Sequence, residues 1–418
     1  MAKITKIIGR EILDSRGYPT VEAIVQLDDG SVGNFAAPSG ISIGKHEAVE
    51  LRDGDPKRYA GRGVLKCLEN ILHILAPAVI GIDAAGQAGI DEILIKADGT
   101  ENKSKLGANT ILAISGAVAK AQSASERVTL YKYISKLLTG TDVQKFQIPT
   151  PMFNILNGGK HGGGNIDFQE FMIVPPAATS YSANLRVGTE IYYALKDVIT
   201  NHSGITLVGD EGGYAPVLFT NADALKLLEE AVSKAGYALG LDVFFSLDVA
   251  ASYFKNGNEY KIKDKPVSLS TRDFIDFFEI LSSQFHILLL EDPLSEDDWD
   301  GWVELTTRLG SKAIIIGDDL ITTNIERLKK AIDKKACNAV LIKPNQVGTI
   351  TETLEVVKVA RAANFKIVVS HRSGETNEDF IADFAVGVNA DYAKFGAPAR
   401  GERVAKYNRL LEIEYELS

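Results

Sequence analysis

Cysteine is nearly absent: Cys67 and Cys337 are the only two in 418 residues, far apart and in no ligand-like spacing. That excludes a disulfide framework and a thiolate zinc site, and it fits a reducing compartment. Positive charge is not in excess either. The 45 Lys and Arg against 55 Asp and Glu leave a formal net charge of −10, which argues against a general nucleic-acid or membrane-surface binder. Nowhere do about 18 apolar residues run together, so no membrane span is expected. The opening residues lack the apolar stretch of a signal peptide, so the expected location is cytoplasmic. What remains, 45% hydrophobic and 24% charged, is the make-up of an ordinary globular protein, and the length predicts two or three domains.

The chain changes rhythm once. Residues Ile4 to Ile12, Thr20 to Leu27 and Ser31 to Ala37 are β-prone, with a turn at Asp28-Asp29-Gly30. From about Val64 to Leu138 apolar residues recur three and four apart, as in Ile111, Ile114, Val118 and Ala121, which predicts helices. Together they predict an N-terminal α+β domain over 1–139, ending in a short polar stretch. Beyond it, over 140–418, short apolar runs each end in a polar residue, and most are separated by helical stretches. Eight such runs predict a (β/α)₈-type barrel. The first two are too close for a crossover helix, so the barrel is expected to open ββαα, with a hairpin-like pair of strands. Leu207-Val-Gly-Asp-Glu211 reads as a loop between two helices.

The active face of such a barrel lies at the C-terminal ends of its strands. The last polar residues of the later runs are Asp248, Glu291, Asp318, Lys343, His371 and Lys394. From Glu291 onward they are separated by about 23 to 28 residues, the length of one β/α unit, so they should converge on one rim. Three carboxylates on a rim call for a hard cation, and an all-oxygen donor set suits Mg²⁺. A lysine beside such a cluster is expected to have a lowered pKa and to act as a base, with divalent cations stabilising the enediolate that forms. Lys343 and Lys394 are the candidate amines. His46, His73, His202 and His286 have no supporting neighbours and read as structural, and Trp299 and Trp302 read as packing residues.

Strings along the chain are similar to those of the enolase family. They include Ser15-Arg-Gly17, Ala37-Pro-Ser-Gly40, Glu47 to Asp55 and Leu106-Gly-Ala-Asn109. The second half adds Asn157-Gly-Gly-Lys-His161, Gln169-Glu-Phe171, Gly209-Asp-Glu-Gly-Gly213 and Leu247 to Ser252. Glu291-Asp-Pro-Leu294, Gly317-Asp-Asp-Leu320, Leu341 to Gln346, Ser370 to Thr376 and Lys406-Tyr-Asn408 complete the set. The resemblance implies a lyase that dehydrates 2-phosphoglycerate to phosphoenolpyruvate, with two Mg²⁺ per site, as a homodimer or higher homo-oligomer. It implies Asp248, Glu291 and Asp318 as ligands of the first Mg²⁺ and Ser42 as the residue reaching the second. Lys343 would be the base at C2. Glu211 would be the acid at the C3 hydroxyl, its pKa raised by the neighbouring Glu170. Arg372 and Ser373 would hold the phosphate, and His161, His371 and Lys394 would complete the substrate site. A related elimination by a diverged paralogue, or a non-catalytic binding role, are the competing readings.

Several positions depart from the family pattern. Ile43 stands for a threonine, Gly162-Gly163-Gly164 for Ala-x-Asn, Tyr214 for phenylalanine and Val217 for asparagine. Tyr253 replaces a glutamate, Phe395 a threonine and Gly401 a serine. The three glycines are expected to act as a hinge whose open-state freedom opposes closure. Glu412 occupies the place of an arginine that would pair across a dimer with a glutamate matching Glu22, which leaves Arg409 as a substitute contact.

Overall fold

Three strands open the chain in this computed structural model, which describes residues 2–40, 44–164 and 166–418. β1 (Ile4–Leu13), β2 (Pro19–Leu27) and β3 (Val32–Ala36) form an antiparallel sheet in that order. The turn between β2 and β3 closes on Gly30, at φ +89°, whose N–H donates to the Leu27 carbonyl. Short helical turns run from Leu65 to Val79, followed by α1 (Gln87–Asp98), α2 (Ala108–Glu126) and α3 (Leu130–Thr139). α2 is buried along nearly its whole length, which explains a sequence apolar or small on every face.

Eight of the remaining strands close a barrel. They are β4 (Thr150–Asn157), β5 (Glu170–Val174), β6 (Phe244–Asp248), β7 (Ile287–Glu291), β8 (Ile314–Gly317), β9 (Ala339–Ile342), β10 (Lys366–Ser370) and β11 (Tyr392–Lys394). β4 and β5 are antiparallel, β5 and β6 are antiparallel, and every other neighbour is parallel, including β11 against β4. α4 (Tyr181–Asn201) and α5 (Asn221–Lys234) follow β5 in succession, giving the ββαα start. Single helices then alternate with strands: α6 (Thr271–Phe285), α7 (Trp299–Leu309), α8 (Ile325–Lys334), α9 (Ile350–Ala362), α10 (Phe380–Gly387) and α11 (Gly401–Leu417). Their starts carry local signals, such as the Ser270/Asp273 capping box of α6 and the Thr349 cap of α9. Leu207–Glu211 is a loop, as expected, with an isolated bridge between Val208 and Tyr214. No helix among the described residues is long and apolar enough to cross a membrane.

Strand alternation places the rim. Met152, Met172, Leu289, Ile316, Leu341 and Val368 form a closed apolar cluster inside the barrel. Two residues farther toward the rim on the same faces stand Asn154, Glu170, Glu291, Asp318, Lys343 and Ser370, because side chains repeat with period two. β5 runs against its neighbours, so its first residue, Glu170, lies opposite Asp248 at the end of β6.

The sheet-bearing segment is tied to the barrel by a buried carboxylate. Asp91 of α1 accepts hydrogen bonds from the Thr351 N–H (3.0 Å) and hydroxyl (2.5 Å) at the start of α9, and from Gln87 Nε2 (3.0 Å) of its own helix. Burial outweighs these donors and raises its pKa to about 6. An acid whose folded pKa lies above its unfolded one stabilises the fold most at low pH and loses that contribution as pH rises through the folded value. The Asp91 contribution should therefore fall by about 3 kcal/mol between about pH 4 and 6. Chemical denaturation of wild type and Asp91→Asn across that window should show a stability difference that shifts toward the variant as pH rises. A difference independent of pH would contradict this.

Candidate active site

Round the rim from β5 to β9 the strand ends present Glu170, Asp248, Glu291, Asp318 and Lys343, followed by His371 after β10 and Lys394 on β11. All but Lys343 are buried, Glu291 completely. Lys394 Nζ lies 2.9 Å from both Glu291 oxygens, 3.1 Å from Asp248 Oδ2 and 3.2 Å from Glu170 Oε2, so one ammonium joins three carboxylates. Lys343 Nζ donates to Asp318 Oδ2 at 2.5 Å, and Gln346 Nε2 donates to Asp318 Oδ1 at 2.9 Å. Gln169 Nε2 donates to Asp248 Oδ2.

These contacts correct the expected electrostatics of Lys343. Burial works to lower its pKa, but Asp318 and Glu291 outweigh burial and raise it. Lys394 is raised well above the lysine range against the same burial, by Asp248, Glu170 and Glu291.

Among the described residues, two groups bring their ligand atoms within 4.8 Å of one another: His161, Glu170 and Glu211, and Asp292, Asp318 and Asp319. The expected trio is thus divided. Asp318 lies with Asp292 and Asp319, while Asp248 and Glu291 are joined through Lys394. Asp292 accepts hydrogen bonds from the N–H groups of Asp318 (3.0 Å) and Asp319 (2.7 Å) and so anchors the loop after β8. Burial, and then mutual repulsion, pushes Glu291, Asp292 and Asp319 well above the carboxylate range. A buried rim with more carboxylates than ammonium groups, offering oxygen donors, fits a hard divalent cation such as Mg²⁺. Ser42 and Ile43 lie outside the described residues.

Glu211 comes from the loop between α4 and α5 and meets Glu170 beside His161. His161 Nδ1 is 3.3 Å from Glu170 Oε1 and 3.6 Å from Glu211 Oε1. Asn154 Nδ2 (3.1 Å) and His371 Nε2 (3.2 Å) both reach Glu211 Oε2. The expectation that Glu211 has the raised pKa is reversed. Burial would raise it, but His161, His371 and Arg403 hold it well below the usual range. Burial and the Glu211 charge instead lift Glu170 to about 7. The proton of this pair rests on Glu170.

Arg372 and Ser373 follow His371 and face the sheet-bearing domain. Arg372 makes a two-pronged ion pair with Glu47, at 2.7 and 3.2 Å, and donates to Asn345 Oδ1 at 3.1 Å. The Ser39 and Gly374 backbones exchange hydrogen bonds beside them. The sheet-bearing N-terminal part therefore closes one side of the rim.

The His161 loop also departs from expectation. Gly163 and Gly164 have φ of +81° and +78°, and a Cβ on Gly162 would strike the Asn157 carbonyl. The folded loop demands Gly162 for lack of space and favours glycine at 163 and 164 through their backbone angles. Lys160 Nζ sits 3.6 Å over the Tyr253 ring, and Lys263 Nζ donates to the Gly164 carbonyl, so the loop is held from both sides. Gly162→Ala should displace the loop at a cost of about 1–3 kcal/mol, weakening substrate affinity roughly ten- to hundredfold. Gly164→Asn should be tolerated, since Asn adopts positive φ readily. Equal affinity of Gly162→Ala and wild type in a substrate titration would refute this. Of the remaining departures, Tyr214 stacks on Tyr192 with centroids 4.5 Å apart, Phe395 packs on Tyr407, and Val217 is exposed. Arg409 is engaged within its own chain by Asp383, Glu412 and Glu416, and Glu22 by Arg10.

Sequence reading missed Asp292, Asp319, Asn154, Gln169 and Arg403. The first two were signalled by doubled acids, Glu291-Asp292 and Asp318-Asp319, and Asn154 by its two-residue offset from Met152. Nothing local marks Arg403, which approaches from α11. Residues 4–134 match the family described as Enolase, N-terminal domain, and residues 145–418 match Enolase, C-terminal TIM barrel domain. Superfamily sites of this kind combine a Lys or His base with Mg²⁺. With both halves matched in order, the chain belongs to the enolase superfamily and is a lyase-type enzyme.

Proposed function

We propose that this enzyme reversibly dehydrates 2-phosphoglycerate to phosphoenolpyruvate, in cytoplasmic glycolysis and gluconeogenesis. The observation that carries the reading is the order of groups along the rim. An amine, Lys343, stands at one end of an arc of carboxylates, and a carboxyl pair sharing a proton, Glu170 and Glu211, stands at the other. A β-elimination needs a base at one carbon and an acid at the next. Asp248, Glu291 and Asp318 would hold Mg²⁺, and Ser42 would serve a second ion; the bound charge would offset these carboxylates, their pull on Lys343 and the charge of an enediolate.

Lys343 then takes the C2 proton. The proton held on Glu170 passes by way of Glu211 to the departing C3 hydroxyl, and His161 and His371 orient that pair. Lys394 keeps Glu170, Asp248 and Glu291 in register. Arg372 and Ser373 hold the phosphate, the guanidinium giving a planar pair of donors. Self-association as a homodimer belongs to the same reading. Arg409, Glu412 and Glu22 each have a partner within the chain, and sedimentation would measure the self-association.

The test is ultraviolet absorbance of the enolpyruvate product with purified protein, 2-phosphoglycerate and Mg²⁺. Absorbance should rise and should stop on exhaustive chelation. No rise with 2-phosphoglycerate, alongside turnover of a related phosphorylated or phosphonylated acid, would favour a diverged paralogue instead. No turnover of either would favour a binding role.

A further inference from the structure

Arg403 is completely buried in the first turn of α11, an expensive place for a charge without a purpose. Its Nη1 lies 2.7 Å from His371 Nδ1 and donates to the Arg372 carbonyl at 2.6 Å. Its Nη2 donates to the carbonyls of Ser373 (2.6 Å) and Asp210 (3.1 Å), and its Nε is 3.4 Å from Glu402. One guanidinium therefore joins the end of β10 to the residue preceding Glu211. The fit is close: a Cβ on Gly396, at φ +87°, would come within 3.0 Å of Arg403 Cδ and 2.9 Å of His371 Cε1.

A guanidinium only donates hydrogen bonds. Nδ1 of His371 must accept, which leaves its proton on Nε2, 3.2 Å from Glu211 Oε2. We propose that Arg403 is a positioning residue that locks His371 in the neutral form protonated on Nε2, so that this imidazole can only donate to Glu211. A second proton would place an N–H against the guanidinium, so His371 does not charge in the physiological range. The charged groups facing it are Glu211, Arg403 and Glu375, and burial with Arg403 outweighs the two acids to hold its pKa down to about 4. The imidazole thus helps keep Glu211 ionised and the shared proton on Glu170. The kinetic part of this inference rests on the proposed elimination; the tautomer does not.

Two measurements test it. In ¹⁵N-histidine-labelled wild type, with His371 assigned by loss of its signals in His371→Gln, Nε2 should be protonated and Nδ1 bare, unchanged from about pH 5 to 8. Protonation on Nδ1, or titration near the ordinary histidine value, overturns the proposal. In Arg403→Gln, the freed Nδ1 should let His371 titrate in the ordinary range. The rate of hydroxyl loss should fall roughly ten- to hundredfold and acquire a matching ionisation, with KM and C2 proton exchange little changed. Arg403→Lys, which keeps the cation, should restore the wild-type pH profile in part. An Arg403→Gln protein that folds and keeps the wild-type tautomer and pH profile overturns the proposal. Should that variant not fold, the wild-type imidazole signals decide alone. If wild type does not turn over 2-phosphoglycerate, the functional reading falls and the imidazole measurement still stands.

Discussion

Lys343→Ala is expected to abolish turnover of 2-phosphoglycerate and exchange of its C2 proton with solvent together, each by on the order of 10³–10⁴-fold. The reason is positional. Lys343 directly follows β9 where a short helical turn begins at Pro344, and its backbone N–H donates to Thr323 Oγ1 at 3.0 Å. That bond and the Asp318 contact aim one amine at one place on the rim, and alanine leaves no group there to receive a proton. Lys394 is no substitute, because its ammonium is committed to Glu170, Asp248 and Glu291. Removing Lys343 also strips Asp318 of an ion pair, so folding and Mg²⁺ binding should be measured alongside by circular dichroism and calorimetry. Exchange that survives in a folded, metal-binding variant would remove Lys343 from the role of base.

Glu211→Gln should separate the two halves of the reaction. Overall turnover should drop by on the order of 10²–10⁴-fold while C2 exchange stays measurable, since proton abstraction precedes hydroxide loss. Glutamine keeps the size of the side chain and a carbonyl oxygen for Asn154 and His371. It cannot relay a proton, and it removes the negative charge that raises Glu170. The Glu170 carboxyl should then ionise at lower pH, which pH-dependent binding of an unreactive substrate analogue would report. Loss of exchange as complete as in Lys343→Ala would sink the assignment of base and acid to opposite ends of the arc.

The strand ends were legible because period-two alternation and regular spacing carry information that survives in one dimension. Glu291, Asp318 and Lys343 each stand two residues beyond an inward apolar side chain, and each ends a short apolar run. The antiparallel β5 was legible from its closeness to β4. What could not be read was the partition of charge within pairs. Whether Glu170 or Glu211 keeps the proton depends on Arg403 and His371, which arrive from β10 and α11, far along the chain. Lys343 was misjudged for a related reason: its distance from Asp318 is a fact of folding, and a lysine at hydrogen-bond distance from a carboxylate is stabilised in its charged form. The glycines of the His161 loop were judged by composition, whereas backbone angles and the nearby Asn157 carbonyl decide what fits there.

The pairing of β11 with β4 also bears on how the molecule is assembled. Lys394 lies in register with Met152, roughly 240 residues earlier, so the ladder that closes the barrel is among its least local contacts. Loop closure on that scale must precede any reward from pairing, which makes it a slow step in folding. Every partner of Lys394 is in place earlier in the chain, yet none is bridged until that closure occurs. Arg403, later still, cannot grip His371 before then. The ammonium that bridges Glu170, Asp248 and Glu291 therefore arrives only with the ladder that closes the barrel.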